Sequence, residues 1–120
     1  MNPLVLVLGA SPNPDRFSFK AVRRLVRSDY PVIAIGKQAG FIDDIPIVRG
    51  QPPIVDVHTV LIYLAPYHQG EIFDYVLSLH PKRVVFNPGT ESPEFAELLE
   101  SYDIEVVHDC SLVMLATGIF

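Results

Sequence analysis

With 120 residues, of which 49% are hydrophobic and 19% charged, the chain has the length and apolar content of one globular domain with a filled core. A net charge of −5 excludes a general attraction to nucleic acid or anionic membrane, and no apolar run approaches the ~20 residues that span a bilayer. The single cysteine, Cys110, excludes an intramolecular disulfide and a cysteine-based zinc site, and with no signal-peptide pattern at the N-terminus this predicts a cytoplasmic protein.

Residues 4–8, "LVLVL", form a continuous apolar run, as expected of a strand buried on both faces of a parallel sheet. A helix follows, expected to take Ser18 as its N-cap, to turn Phe19, Val22, Leu25 and Val26 inward, and to end before Pro31. "VIAI" at 32–35 is the second strand. The stretch 36–53 then reads as a loop with a short edge strand at 45–48. A strand at 58–63 leads to a helix over 70–80, with Ile72, Phe73, Val76 and Leu77 at helical spacing, and to a strand at 83–86. Ser92 as cap and Pro93 at the first position open a third helix, with Phe95, Leu98, Leu99 and Tyr102 on its inward stripe. A last strand at 104–107 precedes an apolar segment, 110–120, expected to be a short helix or a docked tail.

Strands alternating with helices at these intervals predict the α/β class, a Rossmann-like doubly wound parallel sheet in a single three-layer domain spanning 1–120. In such sheets ligands sit beyond the carboxyl ends of the strands where the strand order reverses. The loops at 9–17, 36–41, 64–68 and 87–91 are therefore the candidate site.

The turn after the first strand, "GASPNPDRFSFK", runs into a helix, whose backbone N–H groups and dipole favour an anion such as a phosphate. Gly9 permits the sharp bend, Ser11 adds a hydroxyl and Arg16 a planar bidentate donor. The plain alternative is a tight turn with no ligand. A nicotinamide fingerprint is not met, because Ser11 and Pro14 stand at the places of the second and third glycines. Lys37, rather than an acidic residue, follows the second strand. A cation there suits a ligand with an additional phosphate, either NADP or coenzyme A.

The segments "VLGASPNPDRFSFKAVRRL", "VIAIGKQAG", "LIYLAP", "VVFNPGTESPEFAELL" and "CSLVML" resemble the small stand-alone CoA-binding proteins. These in turn are similar to the CoA-binding domain of the succinyl-CoA synthetase alpha subunit and of ADP-forming acyl-CoA synthetases. The likeness covers residues 4–117, and its most telling piece is the G-A-S-x-x-x-x-R pattern from Gly9 to Arg16. It implies coenzyme A as ligand, with first-loop contacts at Gly9, Ala10, Ser11 and Arg16. Relatives often carry Asn-Pro-Lys after the second strand, where this chain has Gly36, Lys37 and Gln38, so the lysine's role falls to Lys37 or Gln38. Ala65 and Pro66 would border the adenine or the pantetheine.

On this basis the expected function is non-catalytic binding of CoA or an acyl-CoA, since relatives that make acyl-CoA use further domains. One alternative is a small NADP- or acyl-CoA-dependent enzyme with His68 or Cys110 as the reactive group. Another is a partner subunit whose apolar tail, 112–120, forms a homo-oligomer contact. The four histidines, His58, His68, His80 and His108, stand at least ten residues apart, without metal-ligand spacing. His58 and His80 read as surface residues, and Cys110 as packing. Asn87 is expected to add a polar contact at the pocket rim. Lys20, Arg23, Arg24 and Arg27 share one helix face, which reads as a solvated stripe.

Overall fold

A computed structural model of the chain describes residues 2–120. The elements run β1 (Leu4–Leu8), α1 (Phe17–Arg27), β2 (Val32–Ile35), β3 (Gly40–Ile42), β4 (Ile45–Val48), β5 (Val57–Ile62), α2 (Phe73–Leu79), β6 (Arg83–Phe86), α3 (Pro93–Ser101), β7 (Glu105–His108) and α4 (Ser111–Ala116). They build one seven-stranded sheet in the order β3-β4-β2-β1-β5-β6-β7. All neighbouring pairs are parallel except β3 and β4. The chain leaves β1 towards β2 on one side and returns to β5 on the other, so the strand order reverses between β1 and β5.

Side chains of a strand alternate between faces, and β1 shows the consequence. Val5 and Val7 pack with Phe19, Val22 and Leu25 of α1 and Met114 of α4. Leu6 and Leu8 pack with Val76 of α2 and Phe95 and Leu99 of α3. A sheet apolar on both faces between two helical layers is the Rossmann-like α/β architecture that the sequence pattern predicts. Among the described residues, no helix is long and apolar enough to cross a membrane.

Several boundaries differ from expectation for local reasons. The N-cap of α1 is Arg16 and not Ser18, because the turn closes early through Arg16 N–H to the Asn13 carbonyl (3.1 Å), and Lys20 N–H reaches back to Arg16 (3.2 Å). Ser18 is buried within the first helical turn instead. Val26 lies at the solvent edge of α1, 40% exposed, and Tyr102 is the C-cap of α3, 59% exposed, so neither joins the core stripe. Residues 66–72 form two 3-10 turns, and α2 starts only at Phe73.

The expected loop at 36–53 contains a hairpin, in which β3 pairs antiparallel with β4 around Asp43, a residue with φ 51°. Three residues, one of them glycine, carry too little pattern for β3 to be read as a strand. The hairpin is tied to α1 by a bidentate pair, Arg23 Nε and Nη2 donating to Asp43 at 3.0 and 2.9 Å. The guanidinium bond holds the Asp43 carboxyl below its ordinary range. The expected solvated stripe is thus exposed at Lys20, Arg24 and Arg27, with Arg23 engaged.

After α4 the chain docks on its own sheet. The Phe120 ring meets Tyr30 edge-on at 5.4 Å and lies 4.7 Å below the Arg83 guanidinium, which also donates to the Phe120 carbonyl at 3.0 Å. Phe120 is therefore used within the chain, while Val113 and Ile119 stay exposed.

Candidate functional site

The carboxyl ends of β1, β2 and β5 converge through close backbone contacts. Gly9 has φ +90°, and a Cβ there would meet the Tyr63 carbonyl carbon at 2.9 Å, so only glycine lets β1 end against β5. The N–H groups of Gly9 and Ala10 both bond the Ile35 carbonyl, at 3.0 and 2.9 Å, and Gly36 N–H bonds that of Val48 at 3.0 Å. At Gly36 the space for a Cβ is filled by the Ala10 carbonyl oxygen. The first loop and the loop after β2 are pressed together by these contacts.

Within the first loop, the Ser11 hydroxyl accepts from Asn13 N–H (3.1 Å) and the Asn13 side-chain oxygen from Asp15 N–H (3.0 Å). These turns bring the chain to Arg16, whose side chain makes no capping bond, and the first turn of α1 has no acidic residue. The opening N–H groups of a helix have no partners inside it and carry the positive end of its dipole. Here Phe17 and Ser18, in that first turn, line a cleft of about 850 Å³.

Of the residues expected at the site, Gly9, Ala10, Ser11, Arg16, Gly36, Lys37, Gln38 and Ala65 all line this one cleft. Pro66 lies outside the lining, at the start of the 3-10 turn Pro66–His68. His68 lines the cleft, its ring 4.2 Å from that of Tyr67. Cys110 is half-buried outside the lining, its N–H donating to the Asp109 carboxylate at 2.7 Å. The exposed His108 stacks on Phe86 at 5.5 Å, and the half-buried His58 shares a 2.8 Å bond with the Thr59 hydroxyl. His80 is exposed at the end of α2, at φ 48°.

Asn87 corrects the expectation of a rim contact. It is 2% exposed and sits beneath α4, where Nδ2 donates to the Ile62 carbonyl (3.1 Å) while Oδ1 accepts from Ser111 N–H and hydroxyl (both 2.8 Å). Pro88, Gly89 and Thr90 line the cleft in its place. Nearby, the Tyr63 hydroxyl is sealed from solvent and has no partner in hydrogen-bond geometry among the described residues. Burial pushes its pKa up to about 12; the adjacent Ser111 hydroxyl softens the shift, and Cys110 adds slightly to it.

Sequence reasoning missed the far wall, built by Gly50, Gln51, Glu71, Ile72 and Tyr75. Gln51 Nε2 donates to the Glu71 carbonyl (2.9 Å) and the Tyr75 hydroxyl to that of Pro52 (2.6 Å), which lays the loop after β4 against α2. It also missed Gln69, fully buried, whose Nε2 donates to the carbonyls of Leu64 (2.8 Å) and Thr90 (2.7 Å) and so staples the loops after β5 and β6 together. A lone glutamine in a polar loop carries no sequence signal that would have revealed this.

The profile of the CoA binding domain family matches residues 4–116, nearly the whole chain. The chain belongs to the CoA-binding domain family. A crystal structure of a protein described as uncharacterised is 40% identical, with a TM-score of 0.97 over 100% of this chain and 99% of that one. A protein from Thermus thermophilus, described as cell-free ID.343, is 25% identical, with a TM-score of 0.85 over 99% and 91% of the two chains. A hypothetical protein from Pyrococcus horikoshii OT3 is 17% identical over 96% and 82%, with a TM-score of 0.81, a likeness of fold. No curated protein matches the chain significantly.

Proposed function

We propose that this cleft binds coenzyme A or an acyl-CoA through the strand–turn–helix site at residues 9–18, and that it breaks no bond in the ligand. The observation that carries the reading is the convergence, in a member of the CoA-binding domain family, of an uncapped helix N-terminus, Ser11, Arg16 and Lys37 on one cleft. This donor set fits the coenzyme's anionic half. N–H groups at a helix start suit a pyrophosphate, and two flexible cations suit a further phosphate. The wall of Leu64, Ala65 and Ile72 offers apolar surface for the pantetheine arm. Binding without chemistry is favoured by the placement of Cys110, which lies outside the lining.

Thermal shifts with CoA, NADP and ADP at matched concentrations test the reading. A ligand bound only by the folded chain, at a hundred times its dissociation constant, adds about 2.7 kcal/mol of stability. CoA is expected to give the largest shift. A larger shift with NADP would favour the enzyme alternative and overturn the proposal.

A further inference from the structure

We propose that the cleft takes the adenine ring of the coenzyme on the face of Phe17, so that the nucleobase is read by stacking; this rests on the CoA reading above. Four aromatic side chains line the cleft: Phe17, Tyr63, His68 and Tyr75. Tyr75 is buried, with its hydroxyl bonded to Pro52, and Tyr63 packs in the layer of α1 and α4 with its hydroxyl sealed. His68 is exposed but its ring is polar, and it packs on one side against Tyr67. Phe17 alone among them is a large apolar ring left 67% exposed.

That exposure serves no packing purpose visible in the fold, because α1 is anchored to the core by Phe19, Val22 and Leu25. Leaving a phenylalanine ring in water forgoes its burial energy, which a stacked ligand ring would recover. Adenine is the one aromatic group of coenzyme A, whereas the pantetheine arm consists of aliphatic carbons and amides. Phe17 directly follows Arg16 in the phosphate turn, and the Lys20 amine lies 5.5 Å from its ring centre. A pyrophosphate at the start of α1 therefore brings its own ribose and base close to this ring. Stacking rewards any flat base and reads no hydrogen-bond pattern.

The test is calorimetric titration of the wild-type chain, Phe17→Ala and Phe17→Trp with CoA, ADP and 4′-phosphopantetheine. Phe17→Ala is expected to weaken CoA and ADP by the same factor, roughly 5- to 150-fold, the range for one base–aromatic stack. It should leave 4′-phosphopantetheine unchanged, and Phe17→Trp should restore the loss. Alanine at this exposed helix position is a better helix former than phenylalanine, so folding is retained, which an unchanged denaturation midpoint verifies. Wild-type affinity for CoA in Phe17→Ala would overturn the stacking alone, as would an equal loss for 4′-phosphopantetheine. A wild-type chain that binds none of the three ligands would overturn the CoA reading and the stacking together.

Discussion

Replacing Asn87 by alanine is expected to cost stability and to spare the ligand. The side chain is 2% exposed and joins β5 to α4 through three hydrogen bonds, one to the Ile62 carbonyl and two from Ser111. Alanine leaves the Ile62 carbonyl and the Ser111 N–H buried without partners, at about 1–3 kcal/mol each, while the Ser111 hydroxyl can rotate to another acceptor. The sum is about 2–6 kcal/mol, a large share of the ~5–15 kcal/mol that holds an ordinary domain together. At this chain length the melting temperature should fall by on the order of 10 °C. Urea denaturation should show a lower midpoint with an unchanged slope. Ser111→Ala, which removes one bond and orphans no backbone group, should lose only about 1 kcal/mol. CoA affinity of the folded Asn87→Ala protein should stay within about threefold, since Asn87 lies outside the cleft lining. A stability loss below 1 kcal/mol would refute the bridging account, and a large affinity loss would return Asn87 to the ligand's contacts.

Arg16→Ala should weaken CoA by about 1.5–3 kcal/mol, the range for a hydrogen bond to a charged group, with Arg24→Ala unchanged; equal losses in calorimetry would mean that general basicity attracts the ligand. Gly36→Ala should lose stability, by roughly 1–3 kcal/mol, and CoA affinity together, because its Cβ overlaps the Ala10 carbonyl oxygen and forces the two loops apart; unchanged denaturation and titration would show that they yield freely. Tyr63 titrates near 10 when unfolded and at about 12 when folded, so its contribution is intact below pH 10 and is lost as pH rises through 12. Tyr63→Phe removes a buried hydroxyl that has no partner, so it should be at least as stable as the wild type at neutral pH and should lack an alkaline loss of about 2–3 kcal/mol, which denaturation at a series of pH values would reveal.

The half of the cleft built by the first loop and α1 was legible because it depends on chain order. A buried strand, a turn with Gly9 and a helix place Ser11 and Arg16 together whatever the rest of the fold does. The far wall depends on side-chain-to-backbone bonds between segments distant in sequence, Gln51 to Glu71 and Tyr75 to Pro52. Such bonds leave no periodicity, and polar loop residues look alike whether they face solvent or a neighbouring carbonyl. The hairpin at β3 was missed on similar grounds, its pairing being fixed by β4 and by the Arg23–Asp43 tie rather than by its own three residues.

Asn87 and Tyr63 follow a rule that the sequence did contain. In β6, Val85 packs in the layer of α1 and α4 and Phe86 in the layer of α2 and α3, so the next residue, Asn87, returns to the first layer. In β5, Leu61 and Ile62 alternate in the same way, and Tyr63 falls on the same side as Asn87. Two polar groups at neighbouring strand ends on one face need a cover that can meet them, and the start of α4 supplies it with the Ser111 N–H and hydroxyl. Ser111 meets the Asn87 side-chain oxygen with both donors and leaves the Tyr63 hydroxyl without a bond. Reading 110–120 as either helix or tail removed the one element that would have decided which way Asn87 turns. Strand parity places a side chain on a face, and the element that covers the face decides whether that side chain supports the fold or reaches the ligand.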